Sequence, residues 1–249
     1  MTFKYRGLNI NYKIEGNGPP IILLHGWGTS MNTFEAFTNE IKEKYEVHLI
    51  DLIGFGESDL PIKSLNLNDY VLCLYEYISY HNIEKPIILG HSFGGRIAIK
   101  YASYFNNIDK LILVDSAGIK KKVDIRLKLK IKKYKFKKWW YKTTKNIMAY
   151  NKLILNSGSY DYKMAKDSMK GTLSKVVNED LRKHLRKIKV ETLIIWGKDD
   201  KETPYKHAII MNKLIKNSGL VTIENTGHFP YLENKRYFNI IMKEYLKVE

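Results

Sequence analysis

One hexapeptide sets the architecture of this 249-residue chain: Gly90-His91-Ser92-Phe93-Gly94-Gly95. It follows an apolar run at residues 86–89 that is typical of a buried strand, and it opens a segment with helical character. A serine between glycines at such a turn is the pattern of a nucleophile elbow, whose strained backbone lifts the serine hydroxyl above the end of a sheet. Side chains at positions 90 and 94 would collide with the neighbouring strand and helix. The hexapeptide therefore predicts Ser92 as a nucleophile.

Outward from this turn, short apolar runs alternate with segments of helical spacing. The runs are typical of buried strands, and the segments between them carry apolar residues three or four positions apart. This alternation predicts an α/β fold, a doubly wound and mostly parallel sheet with its site at the carboxyl ends of the strands. A hairpin over residues 2–15 would precede it. The predicted strands are residues 21–24, 47–51, 87–89, 111–115, 192–196 and 220–223, and those at 21–24 and 87–89 are expected to be buried.

The alternation stops after Gly118 and resumes near residue 188. Residues 119–187 contain no run typical of a buried strand, and their apolar residues follow helical spacing. We therefore expect a helical cap at 119–187, inserted between two late strands. The α/β core then consists of two parts, residues 1–118 and residues 188–249.

Two turns could supply backbone donors beside the serine. Acyl transfer by a serine requires N–H groups that stabilise the developing oxyanion. The turn His25-Gly26-Trp27-Gly28 follows a predicted strand, and its glycines let the backbone direct N–H groups toward the space above Ser92. The backbone N–H groups of Trp27 and Phe93 are the candidates for this oxyanion hole.

The same chemistry requires a base and an acid that orients the base. His228 lies in a loop with glycine and proline just after the last predicted strand, and such loops commonly carry catalytic groups. Asp200 follows the strand at 192–196 and so reaches the same edge of the sheet. Asp199 is adjacent to it, and Asp115 ends a strand of its own, so the residues alone leave the choice of acid open.

Five motifs, in this order along the chain, resemble those of the α/β-hydrolase superfamily. They are His25-Gly26-Trp27-Gly28, Asp51-x-x-Gly54-Phe55-Gly56-x-Ser58, Gly90-His91-Ser92-Phe93-Gly94-Gly95, Gly197-x-x-Asp200 and Gly227-His228. The resemblance spans nearly the whole chain outside residues 119–187. It implies Ser92 as nucleophile, Asp200 as acid and His228 as base. It also implies an oxyanion hole at Trp27 and Phe93, and a helical cap.

Within that superfamily the chain is most similar to the group of capped esterases, meta-cleavage-product hydrolases and proline iminopeptidases. Serine rather than aspartate at the elbow argues against the haloalkane dehalogenase and epoxide hydrolase branches. The implied reaction is hydrolysis of a small carboxylic ester, or of a related acyl or C–C bond. No metal or cofactor is expected, since the sequence has neither an H-E-x-x-H motif nor a cysteine cluster. One alternative is a small-molecule receptor on the same fold with little or no turnover, and a third interpretation is a surface- or nucleic-acid-binding protein that acts through the basic residues of the cap.

The net charge of +16 is concentrated in the predicted cap. Residues 120–145, the basic window, hold 13 Lys and Arg and one acid, Asp124, and so carry +12 of it. Of the 42 basic residues 36 are lysine, whereas nucleic-acid recognition favours arginine, so we expect no nucleic-acid partner. The window is interpreted as a solvated face whose apolar residues pack inward or line the pocket: Ile125, Leu127, Leu129, Ile131, Tyr134, Phe136, Trp139 and Trp140. We expect His25, Trp139 and Trp140 to line the substrate pocket.

The cysteine count, the first residues and the length of the apolar runs indicate in which cellular compartment the protein is expected. A single cysteine, Cys73, excludes an intrachain disulfide and favours a reducing environment. The first residues lack the apolar segment of a secretory signal. No uncharged apolar run approaches the ~20 residues of a membrane span. We therefore expect a soluble, cytoplasmic protein that acts on a small-molecule substrate without stable insertion into a membrane.

Overall fold

The computed structural model describes residues 1–105, 107–120, 125–155 and 160–248. Its strands are β1 Thr2–Tyr5, β2 Leu8–Glu15, β3 Pro20–Leu24, β4 Glu46–Ile50, β5 Ile87–His91, β6 Lys110–Val114, β7 Glu191–Gly197 and β8 Ser218–Ile223. Its helices are α1 Glu35–Ile41, α2 Leu67–Tyr80, α3 Phe93–Tyr104, α4 Ile125–Thr143, α5 Ile147–Leu155, α6 Tyr160–Met164, α7 Asp167–Asn178, α8 Arg182–Leu185, α9 Lys206–Leu214, α10 Pro230–Glu233 and α11 Lys235–Leu246.

The eight strands form one sheet in the order β1-β2-β4-β3-β5-β6-β7-β8. The hairpin of β1 and β2 joins the edge antiparallel to β4, and every other neighbouring pair is parallel. The prediction of a mostly parallel sheet is confirmed. Because β5 lies between β3 and β6, the turn that follows it is flanked by the carboxyl ends of both neighbours.

Both faces of the sheet are covered, as in a doubly wound fold. Along β3, Ile22 and Leu24 face one apolar layer, and Ile21 and Leu23 face the other. Helices α2, α3 and α9 contribute to the first layer, whereas α1 and α11 contribute to the second. A strand buried on both faces reads as a continuous apolar run, which is why β3, β5 and β6 could be found from the sequence.

Between β6 and β7 the described residues form only helices, α4 to α8. Helix α7 is fastened to the core on two sides. On one side the Leu65 N–H donates to Thr172 Oγ1 at 2.9 Å, and Lys175 Nζ donates to the Ser64 carbonyl at 2.6 Å. On the other side the Arg96 guanidinium donates to the carbonyl of Glu179, just after α7, at 2.8 Å. These contacts hold α7 between the loop that follows β4 and helix α3.

Helix α4 corrects one expectation about the basic window. The expectation that its apolar residues pack inward is wrong for five of them, because Leu129, Ile131, Phe136, Trp139 and Trp140 are all exposed, Ile131 at 41% and the other four at 50% or more. Apolar residues that alternate with lysines every second position cannot share one side of a helix, so only part of them can pack against the protein. Residues 121–124 and the side chains of Ile125 and Leu127 lie outside the described residues. Among the helices in the described ranges, none combines the length and the apolar character needed to cross a bilayer.

Candidate active site

Ser92 occupies the sharp turn between β5 and α3. Its backbone has φ 48° and ψ −106°, a conformation that costs free energy for a residue with a side chain. Neighbouring backbone holds it there, because the Ser92 N–H donates to the Val114 carbonyl at 3.1 Å and the Ser92 carbonyl accepts from the Ala117 N–H at 3.0 Å. Strain that the surrounding structure maintains is typical of functional turns.

Two glycines of the turn permit its close approach to the rest of the sheet. A Cβ at Gly90 would lie 2.6 Å from the Gly94 carbonyl oxygen, and a Cβ at Gly94 would collide with the Leu24 carbonyl. Real Cβ atoms are not found at such separations from backbone. The steric requirement predicted for glycine at positions 90 and 94 is therefore present in the structure.

The turn after β3 lies beside Ser92. The Gly94 N–H donates to the His25 carbonyl at 3.0 Å, and a Cβ built on Gly26 would lie 3.4 Å from Ser92 Cβ. Phe93 is the first residue of α3, so its N–H has no acceptor in a preceding helical turn. Trp27 and Phe93 line the same cavity, with their rings in edge contact at 5.3 Å. The two backbones predicted to form an oxyanion hole are therefore brought together next to the serine.

His25 corrects a second expectation, because its ring does not line this cavity. The side chain is fully buried, with Nδ1 2.7 Å from the Gly26 carbonyl and Nε2 accepting from the Leu52 N–H at 3.0 Å. Burial lowers the pKa of His25 to about 4, against the opposing effects of the Gly26 carbonyl and Asp51. A neutral ring that bridges two backbone segments fixes the turn carrying Trp27 rather than contacting a substrate.

His228 and Asp200 meet although they follow different strands. His228 Nδ1 lies 2.8 Å from Asp200 Oδ2, and Oδ1 of Asp200 accepts from the N–H groups of Glu202 and Thr203 at 2.7 and 3.0 Å. Burial opposes the charge on Asp200, but the hydrogen bond and charge of His228 and hydrogen bonds from Thr203 and Asp115 outweigh it and lower its pKa to about 2. An ionised carboxylate at Nδ1 leaves Nε2 of the imidazole available to take a proton from a nucleophile.

His91 supports the loop that carries this histidine. The ring is fully buried between β5 and the loop, and its Nε2 lies 2.8 Å from the His228 carbonyl oxygen. Its Nδ1 lies 3.2 Å from the Tyr231 hydroxyl. Burial, together with the charge of His228, lowers the pKa of His91 to about 3, so the ring stays neutral and donates one hydrogen bond to the His228 carbonyl. The buried ring of His91 therefore holds the loop of His228 through a hydrogen bond to its backbone.

The other two carboxylates considered as the acid are placed differently. Asp199 is exposed. Asp115 is fully buried at φ 41°, and its Oδ1 accepts from the Gly197 N–H at 3.0 Å. Burial raises the pKa of Asp115 well above its usual range, and the hydrogen bond and charge of nearby Asp200 raise it further. Of the three carboxylates, Asp200 is the one that hydrogen-bonds the imidazole of His228.

A cavity of about 520 Å³ opens above the serine, within the ~300–1,000 Å³ range of small-molecule sites. Apolar side chains from the core and from α7 form much of its wall, and polar groups lie at its base. Its lining comprises Gly26, Trp27, His91, Ser92, Phe93, Arg96, Ala117, Leu173, Val176, Val177, Glu202, Thr203, His228 and Phe229. Trp139 and Trp140 are not among these residues, so the expectation that they line the pocket is wrong. They lie on the exposed side of α4, whereas α7 supplies the wall.

Sequence reasoning missed Arg96 as a residue of this cavity. It lies one helical turn after Ser92, is almost completely buried, and donates to the carbonyls of Glu179 and Val177 at 2.8 and 3.4 Å. Lys100, one turn further on, forms an ion pair with the Glu179 carboxylate. Basic residues at intervals of four after the serine were the available signal, because that spacing places them on one side of α3.

Comparison with known proteins agrees with this architecture. A family model described as alpha/beta hydrolase fold matches residues 19–147, and one described as TAP-like protein matches residues 171–248. An AB hydrolase superfamily protein of Bacillus subtilis (strain 168) is 30% identical over 92% of each chain. A pimeloyl-(acyl-carrier protein) methyl ester esterase of Legionella pneumophila (strain Lens) is 25% identical over 96% of this chain and 100% of that protein. An esterase structure from Exiguobacterium antarcticum superposes with a TM-score of 0.75 at 27% identity, over 97% of this chain and 96% of the other.

Proposed function

The chain belongs to the alpha/beta hydrolase fold family, and from that premise we propose that it is a serine hydrolase of the carboxylesterase kind. One observation carries the proposal. A serine on a strained elbow opens into the same cavity as a histidine whose Nδ1 is held 2.8 Å from a buried aspartate. That combination is what a nucleophile, a general base and an orienting acid require.

In this mechanism Ser92 Oγ attacks the carbonyl carbon of the substrate while His228 Nε2 accepts the hydroxyl proton. Asp200 stabilises the imidazolium that forms and keeps the ring in the required tautomer. His228 then gives the proton to the leaving alcohol, which departs as the acyl-enzyme forms. Water activated by the same histidine releases the acid and restores Ser92.

The developing negative charge on the carbonyl oxygen would be stabilised by the backbone N–H groups of Trp27 and Phe93. Two features support this role. The Phe93 N–H sits at the N-terminus of α3, where the helix dipole favours negative charge. The Trp27 turn is fixed by the buried His25 and by the hydrogen bond from Gly94. Donors held in place before the reaction need no reorganisation in the transition state.

The substrate class follows from the cavity and from the relatives. A volume of about 520 Å³ admits a small molecule, and Leu173, Val176 and Val177 give it an apolar wall suited to an acyl chain. Two of the similar proteins are named as esterases, which favours a small carboxylic ester over a related acyl or C–C bond. We also propose that residues 119–187 act as a cap, since α7 closes this side of the cavity. The proposal requires no metal, cofactor or nucleic acid.

A panel of small substrates tests the proposal. Purified protein is expected to hydrolyse short carboxylic esters faster than amides or β-diketones, and Ser92→Ala and His228→Ala are expected to abolish turnover. The chain offers a matched control, because Ser103 Oγ lies 2.7 Å from His184 Nδ1, a serine–histidine pair outside the cavity. Ser103→Ala and His184→Ala are expected to remain active. A folded protein that turns over no member of the panel would instead be a receptor.

A further inference from the structure

The outer side of α4 is an apolar surface. Leu129, Phe136, Trp139 and Trp140 are spaced so that a helix places them within an arc of about 100°. Each is at least half exposed, with exposed fractions of 60, 60, 58 and 50%. The Phe136 and Trp139 rings lie 5.9 Å apart, and Trp140 lies 6.4 Å from each of them. We call these four side chains the aromatic face.

The opposite side of α4 carries the half-buried side chains of this helix. Tyr134, Lys138 and Tyr141 recur at spacings of four and three residues, which places them together on the side away from the aromatic face. These three side chains are half-buried, and α4 packs against α5. Helix α5 itself begins with two exposed apolar side chains, Ile147 and Met148. The aromatic face therefore points outward because the other side of the helix is the one that packs.

Lysines border the aromatic face on both sides. Lys133 and Lys137 flank it on one side, Lys135 and Lys142 on the other, and all four are exposed. Lys132 lies within the arc, where its long stem can lie along apolar surface while the ammonium reaches water. The sequence from residue 125 to residue 160 contains no acidic residue that could neutralise them. A cationic border around an apolar centre complements a surface whose outer layer carries negative charge and whose inner layer is apolar.

We propose that α4 docks on the surface of an anionic phospholipid bilayer, with the aromatic face in the headgroup region and the bordering lysines on the lipid phosphates. Tryptophan concentrates at the membrane–water interface because its ring is apolar and its N–H is polar. Helices that lie in that interface pair an aromatic face with lysines in this way. Nucleic acid is the less suitable partner, since the basic window contains a single arginine, Arg126, and the aromatic face would stay in water along a duplex. The docking is peripheral and independent of the proposed hydrolysis.

Vesicle co-sedimentation tests the docking. The full-length protein is expected to bind vesicles of equal parts phosphatidylcholine and phosphatidylglycerol, not vesicles of phosphatidylcholine alone, and to bind less as salt screens the lysines. Replacing Lys133, Lys135 and Lys137 by glutamine is expected to weaken binding about a hundredfold, since each lysine near an anionic surface contributes roughly a fivefold factor. The matched control removes the same charge from exposed lysines elsewhere, Lys63→Gln, Lys213→Gln and Lys216→Gln, and keeps most of the affinity.

Tryptophan emission tests the depth of the aromatic face. Mixed vesicles are expected to shift the emission to shorter wavelength, and Trp139→Phe with Trp140→Phe is expected to remove that shift while vesicles are still bound. The triple variant Phe136→Ser, Trp139→Ser, Trp140→Ser is expected to weaken binding, whereas Ile62→Ser, at an exposed apolar residue outside α4, is not. Circular dichroism checks that each variant is folded. Absence of vesicle binding, binding without an emission shift, equal losses in the control variants, or binding of duplex DNA in place of vesicles would each overturn the proposal.

Discussion

At the scale of single residues, two buried aspartates at neighbouring strand ends have pKa values shifted in opposite directions. Asp200 accepts hydrogen bonds from two backbone N–H groups, from Thr203 Oγ1 and from His228, so its charge is well compensated. Asp115 Oδ2 has no N–H or O–H donor within the described parts of the chain, although a carboxylate oxygen of Asp115 lies within 4.8 Å of Asp200. When two carboxyl groups lie this close, the state with one of them ionised is more stable than the state with both ionised. The pKa of Asp115 is therefore raised, and the protonated carboxyl is positioned to donate a hydrogen bond toward Asp200.

Substitution by asparagine separates the two roles. Asp200→Asn is expected to lower kcat for an ester by about 10⁴-fold. The amide no longer holds the imidazole of His228 in the required tautomer, and it lacks the negative charge that stabilises the imidazolium. Asp115→Asn is expected to cause a far smaller loss, since the amide still accepts from Gly197 and can donate toward Asp200. Steady-state kinetics of both variants measures this. A larger loss of kcat for Asp115→Asn than for Asp200→Asn would show that Asp115 is the acid of the triad.

The raised pKa of Asp115 leads to a prediction about how the stability of the folded protein depends on pH. In the unfolded chain this carboxyl ionises near pH 4, whereas in the folded protein burial keeps the proton on it to higher pH. Above pH ~4 the folded state therefore binds the extra proton, and stability falls as the pH rises, by at most about 1.4 kcal/mol per pH unit. Asp200, with a pKa of about 2, is ionised in the folded protein across this range, so it adds an opposing slope only up to about pH 5, where its carboxyl in the unfolded chain is also ionised.

Asp115→Asn removes the titrating group, so its stability relative to the wild type is expected to rise from about pH 4 toward neutral pH. Urea unfolding at several pH values measures the difference. Asp109→Asn, at an exposed aspartate, controls for the loss of one carboxylate. A difference between Asp115→Asn and the wild type that does not change with pH would show that Asp115 is ionised in the folded protein.

At the scale of elements, α7 joins the insertion to the site. Its last turn and Glu179 are held by the buried guanidinium of Arg96, a cation at the C-terminal end of a helix, where the dipole favours it. Arg96→Met is expected to cost about 1–3 kcal/mol of stability and to raise KM for an ester more than it lowers kcat, because the apolar wall loses its anchor while the triad stays intact. Arg236→Met, at an exposed arginine of α11, is the matched control. An unchanged KM would show that α7 is held without Arg96.

The elements of the core could be predicted from sequence, and those of the insertion only in part. Ser92, His228 and Asp200 follow strands of the parallel sheet whose apolar residues are local signals, so their shared edge followed from strand direction. Arg96, Val176 and Val177 enter the cavity only through the way α7 folds back on α3, a long-range contact that no local pattern encodes. His25 was expected to face the pocket, but its two ring nitrogens are used by backbone groups from two separate turns.

At the scale of the whole molecule, the charge and the chemistry are on different parts of the chain. The basic window carries +12 of the net +16, and three of its aromatic residues, Phe136, Trp139 and Trp140, face outward, whereas the cavity is built from the core and α7. Net charge alone could not reveal this division, because a solvated lysine face and a docking surface have the same composition. The two activities proposed here can therefore be lost separately, catalysis through Ser92 and docking through α4.

Active-site labelling tests the central claim most directly, because a fluorophosphonate reacts with a serine only when a neighbouring base activates it. Incubation with such a probe, followed by mass spectrometry of the peptides, is expected to show one label per chain, on Ser92. Ser92→Ala and His228→Ala are expected to abolish labelling, whereas Ser103→Ala and His184→Ala are expected to be labelled like the wild type. A folded protein that takes up no label, or that is labelled at another serine, would contradict the assignment of Ser92, His228 and Asp200 as a catalytic triad.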